Sequence, residues 1–429
     1  MKKPLLLLTL LFVVNLCIMW PGVMSADGME QYAIALSGVY RDHHPPMMSL
    51  VWRYLNYIYT GPGMMLLFHF LMLYAAAAIF IYCFRDSKFK WWFAVFPFIP
   101  GVFAYMPLIV KDVGLACSYL LAGAILAYLM LGRITRHKWP LLGLVLLLLF
   151  YGTAVKYQAR FLLVFFTIGV GYCIFNYKHG WKSLLSGVAL YLLLLQAMFS
   201  FNAYLVPVVQ KSHSWQYVKL YDLAAMSLAQ NQALFPPFVI QNPNFSMQRL
   251  KSTFVPYEVD SLAFTHDAVL IIGRNDTERE LLLEYWQNTV RQHPWLYLKV
   301  RFRLWTYTLT GTPSDKTNPA HFLSGIPAFK PIVTQPLIYD AIGSMYQIVK
   351  VSLQFTWLLP LLLIYTVLSM AKLNTCRAAT PLLIFSLTSL SLLGILFFMS
   401  MYGTARYVFI CVCLVHASHG FAYRCLTGR

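Results

Sequence analysis

The chain has 429 residues, 59% of them hydrophobic and only 11% charged, with a formal net charge of +18. Apolar runs of about 20 residues recur, each long enough to cross a bilayer core of roughly 30 Å, which excludes a soluble enzyme with a single anchor. The positive charge does not point to nucleic acid, because the basic residues sit in small clusters between apolar runs. That is the positive-inside pattern, with contact to anionic membrane lipids as a further consequence.

Ten spans are expected in an all-α polytopic chain, at about 4–23, 62–84, 91–109, 114–132, 139–155, 161–177, 183–205, 346–370, 379–400 and 407–422. The first begins MKKPLLLL, which has the look of a signal peptide. It is long enough to span, and the later topology needs no cleavage at the small residues near Ser25 and Ala26. Basic residues gather at alternate span ends, such as Arg85-Lys88-Lys90 and Lys372-Arg377. This asymmetry predicts both termini on the cytoplasmic side. Three divisions follow: 1–205, a membrane module with its first outer loop at 24–61; 206–336, a polar extracytoplasmic region; and 337–429, the last membrane helices.

Loop 24–61 reads as two short amphipathic helices, at 27–40 and 47–59, separated by His43-His44-Pro45-Pro46. The 206–336 region shows helical periodicity at 215–230 and at 276–310. Leu281, Leu282, Trp286, Val290 and Trp295 recur on one face of the second stretch, and the region reads as a small helical cap. Asn275-Asp276-Thr277 matches a glycosylation sequon, a weak signal. The eight cysteines all fall in spans or at their cytoplasmic ends, so no disulfide framework is implied, and Cys411 and Cys413 read as core packing.

Only five acids precede residue 206, and four of them map to the outer side: Asp27, Glu30, Asp42 and Asp112. Carboxylates beside a membrane are costly to place, so they mark candidate functional positions. Two that converge at a membrane surface suit one job: one takes a proton from an acceptor hydroxyl while the other positions it or holds a cation. The alternative is local pairing, Asp42 with Arg41 or Arg53 and Asp112 with Lys111. Lys111, Lys156, Arg160 and Arg406 each sit at the outer end of a different span. They could hold a lipid phosphate, with Arg binding bidentately and Lys as a point charge, or simply reach to headgroups. His43 and His44 lack the HxxxH spacing of a zinc site, so a structural or substrate-bonding role is expected over a metal. Trp215, Tyr221, Tyr257 and Trp286 could stack on sugar, with packing the expectation for each.

The first outer loop resembles the GT-C superfamily, in particular polyprenyl-phosphate-sugar transferases of the protein mannosyltransferase and aminoarabinose transferase group. The resemblance rests on Asp27, Glu30 and Tyr32, followed by Gly38, Tyr40, Asp42, His44, Pro45 and Pro46. That family usually has adjacent Asp and Glu; here Gly28 and Met29 intervene. Looser matches are Lys111-Asp112, Tyr221-Asp222, His293-Pro294-Trp295 followed by Arg301, and Arg406-Tyr407. The resemblance implies a GT-C-like fold and inverting transfer of a sugar from a polyprenyl-phosphate donor to a glycan or lipid acceptor, at the outer face of the bacterial cytoplasmic membrane. Asp27 and Asp112, with Glu30, would be catalytic. Asp42, His43, His44, Lys111, Lys156, Arg160, Tyr221, Asp222, Arg301 and Arg406 would bind substrate. No cofactor is implied, although some relatives use a divalent cation. Two other classes stay open: an O-antigen polymerase or ligase, and a flippase or transporter. Against the second, Pro97, Pro100 and Pro107 interrupt the third span but no acid lies mid-span.

Overall fold

The computed structural model describes residues 2–132, 136–176, 180–207, 211–312 and 354–428. Among the described residues every regular element is helical, and the one extended pairing is a single parallel bridge between Val23 and Leu108. Eight helical segments there are long and apolar enough to cross a membrane, the architecture of a multi-pass helical membrane protein. They are α1 (Lys2–Met19), α4 (Gly63–Cys83), α7 (Lys111–Met130), α8 (Lys138–Val155), the segment Tyr157–Ile174 that contains α9 (Arg160–Ile174), α10 (Trp181–Leu205), α18 (Ala379–Met399), and the segment Ala405–Thr427 that ends in α19 (Phe409–Thr427).

Two of the ten expected spans differ. The third is not one helix. It is α5 (Phe89–Val95), a 3-10 turn at Phe96–Phe98 and α6 (Pro100–Phe103), because Pro97 and Pro100 lack the N–H that would continue the ladder. The eighth is α17 (Leu358–Lys372), only 15 residues long, and positions 346–353 of that expected span lie outside the described residues.

The chain divides into two compact units. The first comprises 1–211, 316–392 and 406–429; the second comprises 212–315 and 393–405. At the centre of the first is α7, buried over its whole length except Lys111 and Tyr128. Its small residues, among them Gly114, Ala116, Ala122, Gly123 and Ala127, let neighbouring helices approach closely, as association between apolar helices in lipid requires. The predicted 27–40 and 47–59 helices are present as α2 (Ala26–Ser37) and α3 (Met47–Leu55). Gly38, in a left-handed conformation with φ 71°, closes α2 by donating its N–H to the Ile34 carbonyl. Ile34, Tyr40 and Val206 form a small buried cluster with Leu50 against it, which ties α2 and α3 to the end of α10.

The second unit contains α11 (Trp215–Gln230), α12 (Pro237–Ile240), α13 (Met247–Thr253), α14 (Asp260–Ala263), α15 (Asp276–Gln292) and α16 (Pro294–Thr310). Its core includes Leu220, Leu223, Phe235, Val239, Leu250 and Leu282. The expected single helix over 276–310 is two helices, because Pro294 starts a new one. In consequence Trp295 does not share the buried face of Leu282; it is 81% exposed. The Asn275 side chain of the sequon caps α15, accepting from the Glu278 N–H at 2.8 Å.

Candidate active site

The site begins with a backbone junction. Val23 donates to the Pro107 carbonyl at 2.7 Å, and Ile109 donates to the Val23 carbonyl at 2.8 Å. These two bonds set the start of α2 beside the start of α7. Gly28 makes the approach possible, because a Cβ there would stand 2.7 Å from the Ile109 carbonyl oxygen. This gives a physical reason for a glycine between Asp27 and Glu30. Asp27 and Asp112 each occupy the first turn of a helix, where the free N–H groups and the helix dipole favour a carboxylate.

The two carboxylates meet on one guanidinium. Arg406 Nη2 donates to Asp27 Oδ2 at 2.7 Å, and its Nε lies 3.9 Å from Asp112 Oδ2. Asp112 does not pair with its sequence neighbour Lys111. Its Oδ1 accepts from Lys156, and both side chains of that pair are almost fully buried. The Lys156 ammonium also sits 4.1 Å from the Tyr407 ring centroid, and the Arg406 guanidinium 5.6 Å from it. Tyr407 is a residue that sequence reasoning gave no role; the only hint was its place beside Arg406.

A second chain of contacts runs alongside. Lys111 Nζ donates to His44 Nδ1 at 2.6 Å, and His44 Nε2 lies 3.3 Å from Glu30 Oε2. An ammonium can only donate, so Nδ1 supplies the lone pair and the neutral ring carries its proton on Nε2, facing Glu30. Glu30, His43 and His44 have ligand atoms within 4.8 Å of one another, a spacing a cation could use. Binding there would displace the Nε2 proton and set a second positive charge beside Lys111.

Electrostatics follow from this wiring. Burial alone would raise the Asp27 carboxyl, but the charges of Arg406 and Lys111 outweigh it and hold the group well below the usual carboxylate range. Glu30 is lowered chiefly by the His44 hydrogen bond. Burial, reinforced by the neighbouring Lys111 charge, pushes the His44 ring down; Glu30 offsets only part of that. Burial, with the Lys111 and Arg406 charges, pushes Lys156 well below the usual lysine range, and its buried contact with Asp112 holds the proton within that pair. Three carboxylates, Asp27, Glu30 and Asp112, face three basic side chains, Lys111, Lys156 and Arg406, around a neutral imidazole.

The remaining expected residues are distributed as follows. Asp42 contributes its backbone carbonyl to the Tyr157 hydroxyl at 3.1 Å. The His43 ring packs on the His44 ring with centroids 4.7 Å apart. Arg160 lies over the Phe161 ring at 4.9 Å and pairs with no carboxylate among the described residues. Asp222 and Arg301 belong to the second unit and are fully buried against each other, with Oδ2–Nη2 2.6 Å. Trp286 also donates to Asp222 at 2.9 Å, and Arg301 donates to the Ser400 carbonyl at 2.5 Å. The expectation gave this pair a substrate-binding role; in the structure both side chains are fully buried against each other inside their unit. Tyr221 is buried too, donating to the Pro256 carbonyl at 2.7 Å. Sequence reasoning also missed Gln31, one turn after Asp27. It is fully buried, and neither of its amide atoms has a hydrogen-bond partner among the described residues.

Comparison with protein families, with characterised proteins and with solved structures gives no match for this chain.

Proposed function

We propose that this chain is an integral membrane glycosyltransferase. It moves a sugar from a polyprenyl-phosphate donor to a cell-envelope glycan or lipid acceptor, on the outer face of the bacterial cytoplasmic membrane, by inverting transfer. The observation that carries this reading is the Arg406 guanidinium held between Asp27 and Asp112, with Lys111 and Lys156 beside it.

The acceptor oxygen attacks the anomeric carbon as the bond from that carbon to the phosphate oxygen breaks. The leaving polyprenyl phosphate gains charge, and Arg406 with Lys156 or Lys111 stabilises it. The acceptor's hydroxyl proton goes to Asp27. A carboxylate held far below its usual range is a weak base, and the donor itself removes that obstacle. Its phosphate competes for Arg406, loosens the Asp27 pair and raises the proton affinity of Asp27 when a base is needed. The charge balance favours the same coupling, since an added anion in a neutral cluster makes uptake of one proton favourable. Asp112, pinned by Lys156, keeps Arg406 in place. In this reading the lowered acids and the neutral His44 need no metal, and a cation at Glu30, His43 and His44 stays an option the transfer does not use.

A membrane assay with a panel of radiolabelled polyprenyl-phosphate sugars tests the reading. Wild type transfers from at least one donor, and Asp27→Asn falls by about 10²–10⁴-fold, the usual contribution of a general base. No transfer from any donor, or undiminished transfer by the variant, contradicts it.

A further inference from the structure

The second unit holds a half-open cavity of about 500 Å³ that the transfer chemistry does not use. Its floor is apolar, built from Leu228, Met247, Phe254, Leu296 and Val300. Its lining includes three cations, Lys251 on α13 and Lys299 and Arg303 on α16, and no acid. Lys299 and Arg303 are four residues apart and so project from the same side of α16. All three are exposed, and none is paired with a carboxylate among the described residues.

The exposed face of α16 continues the pattern. Trp295, Lys299, Phe302 and Arg303 stand at i, i+4, i+7 and i+8, one stripe of a helix. Trp295 is 81% and Phe302 56% exposed. Large aromatics interleaved with cations on one solvent face are the composition of a helix that meets an amphiphile, with rings toward the chains and charges toward the headgroups.

We propose that this cavity binds a lipid that ends in a phosphate monoester, with its phosphate on Lys251, Lys299 and Arg303 and the start of its chain on the apolar floor. Charge complementarity selects that occupant. Three cations without an acid suit a monoester, which carries about −1.5 to −2 near neutral pH, better than a phosphodiester or a zwitterionic headgroup. The apolar floor selects a lipid over a free phosphate, because apolar area removed from water adds to the ion pairing. The inference does not rest on the proposed transfer reaction.

The test uses the full chain in a non-ionic detergent, titrated with short-chain phosphatidic acid as the monoester probe. Phosphatidylglycerol of the same chains, diacylglycerol and inorganic phosphate are the comparisons. Wild type binds the monoester at least about tenfold more tightly than the diester. Inorganic phosphate at equal concentration does not displace it. Lys299→Gln/Arg303→Gln, at exposed positions where folding is little affected, loses at least about tenfold in affinity. Arg406→Gln and Asp27→Asn leave binding at this cavity in place. Equal binding of phosphatidylglycerol, displacement by inorganic phosphate, or loss of binding in Arg406→Gln with retention in the double variant would each overturn the assignment. Failure of transfer in Asp27→Asn has no bearing on it, so the two claims fail separately.

Discussion

The titration of one imidazole reports whether the wiring around the two acids is right. His44 is held neutral by burial and by Lys111, so its ring sits below the ordinary histidine value of about 6.5. The unfolded chain therefore takes up a proton before the folded one does. The stability that neutral His44 contributes is fully present above about pH 6.5 and is lost as pH falls through the lower folded value. Protonation would also leave Lys111 facing a second cation in place of its acceptor. Thermal unfolding followed from about pH 7 to about pH 5 should show a falling midpoint in wild type. It should show a flatter dependence in His44→Gln, whose amide oxygen still accepts from Lys111. Parallel slopes would mean that His44 does not titrate as this geometry requires.

The acids of this site stood out in the sequence because they are scarce before residue 206 and follow apolar runs directly. Their partners did not stand out. Asp112 adjoins Lys111, but neighbours on a helix project roughly 100° apart, so the carboxylate reaches Lys156 on the far end of α8 instead. Arg406 meets Asp27 across 379 positions, a pairing no local pattern encodes. Asp222 and Arg301 read as binding residues from the loose resemblance of their segments to outer loops of membrane glycosyltransferases; their complete burial as a mutual pair is a tertiary fact.

Among the elements, α2 and its junction with the start of α7 do most to position the site. A methyl group at Gly28 would press on the Ile109 carbonyl, so α2 would have to move away and carry Asp27 with it. Gly28→Ala should destabilise the chain by about 1–3 kcal/mol, as overpacking does. It should also lower transfer by more than about tenfold, because small displacements of a catalytic group are costly. Gly143→Ala, in α8 with open space around it, should leave stability unchanged or slightly raised. Thermal unfolding and transfer measured on both variants check this, and equal behaviour of the two would contradict it. Periodicity located α2, α3 and α11 within a few residues, since those are regular amphipathic segments with turn residues at their ends. It failed over 91–109, where hydropathy is continuous but Pro97 and Pro100 break the ladder, and over 276–310, where Pro294 opens a helix without ending the apolar pattern.

For the molecule as a whole, the multi-pass helical character was legible because bilayer thickness imposes a length that hydropathy records directly. The second unit was legible as a polar region but not in its extent, which runs 212–315 and then takes in 393–405 from a distant part of the chain. The charge cluster of the first unit draws residues from α2, from the loop between α2 and α3, from the start of α7, from the end of α8, and from the turn before α19. A site assembled from that many elements has to be judged by what it binds. Donor affinity separates the roles most directly. With a polyprenyl-phosphate sugar that wild type uses, Arg406→Gln should weaken donor binding by at least about tenfold, because it removes the charged group to which the proposal assigns the donor phosphate. Asp27→Asn should bind that donor as tightly as wild type or more tightly, since the acid that competes for Arg406 is gone, while transfer is lost. Undiminished donor affinity in Arg406→Gln, together with surviving transfer in Asp27→Asn, would contradict the claim that this cluster is the catalytic centre.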